Sequence, residues 1–134
     1  MVQTAPYMHP FVTAALCGEG FDSLPVLDEG MRIAEFSGDT EGYDEVAEMI
    51  LFDGDDMLSA LSNVPATDSR ALAAVLHEVA NNCAMVGGQR CDLLARAVEM
   101  KLRSQLPVEV TAAVIAIKYE LTLMLQKLSC RKAL

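Results

Sequence analysis

Between Leu27 and Leu128 the apolar residues of this chain recur at steps of three and four, the period of one helix face. A short first segment, about Leu27 to Phe36, offers Leu27, Ile33, Ala34 and Phe36 for packing; Ser37-Gly38-Asp39 ends it and starts the next. From about Glu41 to Asn63 the inward positions are Tyr43, Val46, Ile50, Met57, Leu61 and Val64, with Gly54 in the gap between Ile50 and Met57. Val64-Pro65-Ala66-Thr67 then turns the chain, with Thr67 expected as N-cap and Asp68 in the first turn. The helix that follows places Leu72, Val75, Leu76, Val79, Cys83 and Val86 on one stripe and ends at Gly87-Gly88, a pair suited to a left-handed cap and a tight reversal. The next, about Gln89 to Gln105, turns Cys91, Leu94, Val98 and Leu102 inward and Arg96, Glu99 and Arg103 outward. Pro107 reads as a first-turn proline opening a last helix to about Leu128, with Val110, Val114, Ile117, Leu121, Met124 and Leu128 as its seam.

Four long amphipathic segments joined by short loops predict an all-α fold, an antiparallel up-down-up-down four-helix bundle with a short extra N-terminal helical segment. Residues 1–24 form an N-terminal extension and residues 25–134 the bundle. Pro10 can open a short helix through Phe11 to Leu16, which Gly18 and Gly20 then break. Whether this piece caps the bundle or lies disordered is left open by the pattern.

One residue stands off the stripes. His77 projects about 150° from the centre of its helix's apolar stripe, towards solvent or a partner. Around it lie short side chains: Ala73 at i−4, Ala80 at i+3, Asn81 at i+4 and Ala84 at i+7. Such an imidazole is open to another protein. The chain has one other histidine, His9. A solvated surface histidine is the bland reading of the same pattern.

Composition narrows the choice. A 52% hydrophobic content with no Trp favours packed helices, and 134 residues suffice for one core. Acids outnumber bases 19 to 10, a net charge of −9 that argues against nucleic acid, which needs a basic patch. The imbalance is uneven: residues 1–65 hold 13 acids and one base, Arg32, whereas residues 66–134 hold 6 acids and 9 bases. The half containing His77 is the one better able to tolerate an added anion.

Cys17, Cys83, Cys91 and Cys130 form no C-x-x-C pair or zinc-type spacing, so no metal site and reduced thiols of a cytoplasmic protein are expected. The first residues lack a positive region followed by an apolar run, and no uncharged apolar run approaches ~18 residues, so neither a signal peptide nor a membrane span is expected.

Enzyme motifs are missing. There is no phosphate-binding glycine loop, no nucleotide-binding glycine fingerprint and no H-E-x-x-H. Asp53-Gly54-Asp55-Asp56 fails as a calcium loop, because its sixth and twelfth positions are Leu58 and Val64. It reads as a solvated helix face. What remains is an imidazole able to attack an electrophile when uncharged, on a helix with little machinery to hydrolyse the product.

These residues resemble the histidine-containing phosphotransfer (HPt) domains of bacterial multistep phosphorelays. His77 matches the phosphate-accepting histidine, Val79 the usual apolar residue and Gly87 the second glycine, ten residues after the histidine. Gln89, Arg90, Leu94 and Glu99 look like the family's following helix, and Asp68 and Leu72 its approach to the histidine. The likeness covers about Pro25 to Leu128. Ala80 and Asn81 stand where the family usually has lysine and glycine.

The resemblance implies a monomeric phosphocarrier that accepts a phosphoryl group on His77 from a response-regulator receiver domain or hybrid histidine kinase and passes it on. It implies no cofactor of its own, the Mg²⁺ belonging to the partner receiver. Asn81, Arg103 and Arg90 (with Arg96) are the candidates to support phosphate, and Ala73, Ala80, Ala84 and Gly87 to admit the partner. An alternative is a degenerate HPt-like adaptor that binds a receiver or kinase without carrying phosphate. A third reading, independent of phosphate, makes the acidic helix 41–63 a contact surface.

Overall fold

A computed structural model describes residues 5–35 and 37–132. Among them the chain is all-helical: α1 (Ala5–Cys17), a 3-10 turn (Glu19–Ser23), α2 (Glu29–Glu35), α3 (Thr40–Asn63), α4 (Ser69–Val86), α5 (Gln89–Arg103) and α6 (Val110–Lys132). No strand occurs among the described residues. One core joins the helices, with Tyr43, Ile50, Leu61, Leu72, Leu76, Leu94, Ile117, Leu121, Met124 and Leu128 among its covered side chains. Among the described residues, no helix is long and apolar enough to cross a membrane.

The start of α3 follows from its linker. Ser37 and Gly38 both take positive φ, 57° and 79°, and Asp39 caps the helix by accepting from the Gly42 amide at 3.0 Å. Gly54, the gap in the α3 stripe, is itself buried. A Cβ there would lie 2.9 Å from Leu125 Cδ1, so the missing side chain leaves room for that leucine of α6. The acids beside it are part of a continuous helix, as a solvated face requires.

Three boundaries differ from the expectation. The cap of α4 is Asp68, whose carboxylate accepts from the Ala71 amide at 3.0 Å; Thr67 lies one residue too early, and the anion suits the helix N-terminus better than a hydroxyl. Pro107 does not open α6. Gln105 turns left-handed at φ 56°, Leu106 N–H returns to the Lys101 carbonyl, and the helix starts only at Val110. A residue before proline avoids helical φ/ψ, which keeps Leu106 out of a helix. At its far end α6 continues past Leu128, where Arg131 pairs with Glu29 and, at 2.6 Å, with Asp44. The short segment expected from Leu27 is helical only as α2, from Glu29; Leu27, ahead of it, and Ile33 are half-buried while Ala34 is exposed, and Phe36 lies outside the described residues.

The described part of the N-terminal extension, from Ala5 on, is more than an appendage. α1 runs through Pro10 and packs on α5 and α6. His9 Nε2 meets Glu120 Oε2 of α6 at 2.5 Å, and Arg90 of α5 donates to the same oxygen at 2.7 Å. Glu120 is wholly buried and His9 nearly so. Phe21, also buried, lies under the Arg90 guanidinium at 4.9 Å. A buried carboxylate requires such partners.

The α4–α5 turn is the most tightly specified joint. Gly87 adopts φ 86°; its amide bonds the Ala84 carbonyl, and the Gly88 amide bonds the Cys83 carbonyl at 2.8 Å, a Schellman closure. From outside, the Asp28 amide donates to the Gly87 carbonyl and the Tyr43 hydroxyl to the Val86 carbonyl, at 2.8 and 2.7 Å. α4 packs on α5 more extensively than any other pair of helices.

Candidate functional site

The α4 stripe from Leu72 to Val86 turns inward and leaves His77 on the opposite side, its side chain 55% exposed. It is not a free-swinging ring. Nδ1 lies 3.0 Å from Glu99 Oε2 on α5, and Arg103 Nε donates to that same oxygen at 2.7 Å. Glu99 and Arg103 are four residues apart, acid before base, the favourable order on a helix, with Arg103 in the last turn where a cation meets the dipole. The Glu99 side chain is only 12% exposed, whereas Arg103 is 52% exposed.

This chain of contacts sets the tautomer. Oε2 of Glu99 already accepts from Arg103, so Nδ1 of His77 is the donor in the neutral ring and Nε2 keeps the lone pair. The nitrogen that keeps its lone pair is thus the one with no hydrogen bond to the described residues. Glu99 was expected outward with Arg96 and Arg103; it is instead covered between α4 and α5, because it bridges two cation-capable groups. The i,i+4 pair Glu99–Arg103 was the available signal, but its third member lies 22 residues away.

Other expected site residues separate. Asn81 is exposed, and its Oδ1 accepts from Arg96 at 3.1 Å, which leaves its amide N–H groups as its donors. Arg96 also donates to Asp92 at 2.5 Å. Ala73 and Ala80 do not flank an open approach to the ring. Both are buried, at 2% and 0% exposure, and their small size serves helix packing instead of a visitor. The same burial disposes of position 80 as a site for a cation: a lysine there would start from the core.

Ala84 is half-buried. Arg90 is not at the site either. It is committed to Glu120 and Phe21, and nine residues of helix set it about 13 Å along α5 from Glu99. Gly87 is buried and makes the turn; the backbone of Asp28 already occupies the space beside it.

Next to the site runs a cleft of about 700 Å³ between the start of α4, the end of α5 and the loop to α6. Arg70 and Arg103 line it with Ala73, Leu102, Leu106 and Val108, so it is cationic with an apolar floor; Arg103 joins it to the Glu99–His77 cluster, and His77 itself is not in its lining. Among the described residues, no group of three or more His, Cys, Asp or Glu side chains is placed to hold a metal ion. All four cysteines are free thiols; Cys83 and Cys91 are buried and Cys130 is exposed.

No described protein family, curated protein or solved structure matches the chain.

Proposed function

We propose that the protein is a histidine phosphocarrier of the HPt kind, accepting a phosphoryl group on His77 from a receiver-domain aspartyl phosphate and giving it to another receiver. In this reading α3 to α6 form the antiparallel up-down-up-down four-helix bundle, and the protein works in the cytoplasm as a monomer with a receiver or hybrid kinase. The supporting observation is the exposed His77 ring with Nδ1 held by Glu99 and no hydrogen bond from Nε2 to the described residues.

In the transfer, the Nε2 lone pair attacks phosphorus in line. The N–P bond forms as the P–O bond to the receiver aspartate breaks, and that carboxylate leaves with the electron pair. Positive charge develops on the ring, where Nδ1–H faces the Glu99 carboxylate, as in other carboxylate–imidazole pairs. Arg103, tied to Glu99 through Nε, keeps its outer N–H groups for the phosphoryl oxygens. Mg²⁺ belongs to the receiver.

The test is incubation with a phosphorylated receiver. Wild type gains an acid-labile, base-stable label and His77→Gln gains none; label retained in His77→Gln, or absent from wild type with every donor tried, refutes the carrier. Binding of a receiver without label would leave the adaptor reading in its place.

A further inference from the structure

The acidic helix α3 carries a second surface that the His77 site does not use. Phe52 is 85% exposed and Met49 60%, the former the most exposed large hydrophobic residue described. They are three residues apart and so share one face of α3, where they border a shallow hollow of about 700 Å³ with Leu51, Glu45, Glu48 and Asp53. Asp53 also borders a second groove, between α3 and α4, to which Asp56 and Glu78 add acids and which has no basic residue in its lining. An exposed phenylalanine beside a methionine within such a rim has the makeup of an interaction surface: an apolar anchor with charge around it.

We infer that this face of α3 docks a basic amphipathic helix of a partner protein. Its apolar side chains, at i and i+3 or i+4, would pack on Met49 and Phe52, with Lys or Arg on both flanks facing Glu45, Asp53 and Asp56. Charge complementarity selects this occupant. Pairing of the same face between two copies would set one acidic rim against another, and anionic lipid headgroups would be repelled by it. The inference is independent of phosphate on His77.

The experiment titrates the full chain into a fluorescently labelled helical peptide of about four turns, with Leu on one face at helical spacing and Lys and Arg elsewhere. A scrambled peptide of the same composition is the control. Anisotropy should report binding that Phe52→Ser weakens about tenfold or more, that Glu45→Lys weakens, and that falls as salt is raised from about 50 to about 300 mM. His77→Gln should bind as wild type does. Because Phe52 is exposed, its replacement is not expected to disturb folding, which circular dichroism checks. No binding, equal binding of the scrambled peptide, or affinity indifferent to Phe52→Ser each overturns the inference. So does a wild-type oligomer that Phe52→Ser dissolves, since a second copy would then be the occupant.

Discussion

Replacing Gly87 with alanine tests how firmly the α4–α5 turn is fixed against the Asp28 backbone. At φ 86° an L side chain is strained, by roughly 1–2 kcal/mol. The new Cβ would also fall 2.3 Å from the Asp28 carbonyl oxygen and 2.9 Å from Arg32 Cγ. The arginine can move, but the carbonyl belongs to backbone whose amide bonds the Gly87 carbonyl at 2.8 Å. Moving it sacrifices that bond, roughly 1 kcal/mol more.

Together these effects give a loss of about 2–3 kcal/mol, and for a chain of this length about 10 °C in Tm. Thermal and urea unfolding followed by circular dichroism measure it. Gly20→Ala is the control, since a Cβ there meets nothing within 4 Å. A loss below about 1 kcal/mol for Gly87→Ala would refute the argument, because it would mean that the Asp28 backbone yields freely.

Three further outcomes follow from the same geometry. Glu99→Gln can present an amide N–H to His77 Nδ1 and place the ring proton on Nε2; if His77 carries phosphate as proposed, removal of a charge-assisted bond of roughly 1.5–3 kcal/mol should slow labelling about 10- to 100-fold with the helix content unchanged, and an unchanged rate would exclude Glu99 from the proposed transfer. Burial, then the Glu29 charge, pushes the Tyr43 phenol from 10.0 up to about 12. Its stabilising share is therefore complete below pH 10 and lost as pH rises through about 12, so Tyr43→Phe, less stable by about 1–2 kcal/mol at neutral pH, should show a shallower alkaline loss in stability. At about pH 8, a thiol reagent should modify Cys130 quickly and Cys17 slowly, because burial and then Glu120 push Cys17 up to about 11; Cys83 and Cys91 should react only on unfolding, and a second fast thiol would contradict this order.

Helical period was enough to find α3, α4 and α5 and to turn His77 away from the core, because those properties depend on neighbours within two turns. Gly87 was legible for the same reason. Glu99 was not: its partners are one local residue and one on another helix, and spacing alone cannot show that two helix faces meet. Ala73 and Ala80 were misjudged because a helix wheel ranks distance from the apolar stripe but does not say which flank a neighbouring helix covers. Charge in the sequence made Arg90 a candidate to support phosphate, yet Glu120 holds it elsewhere. Glu120 did leave a trace, an acid three residues beyond Ile117 and beside Leu121 on the apolar seam of α6. Its counterpart, His9, lies 111 residues away.

The His9–Glu120–Arg90 contact bears on how the protein should be handled at the bench. A fragment trimmed to begin at Pro25 retains both His77 and Glu99 but lacks the imidazole that meets the innermost carboxylate of α6. In such a fragment the hydrocarbon beneath α1 is laid open beside that carboxylate, inviting water in and molecules to stick to each other. Shortened preparations that clump would then report a missing lid, and say nothing against the proposed role of His77.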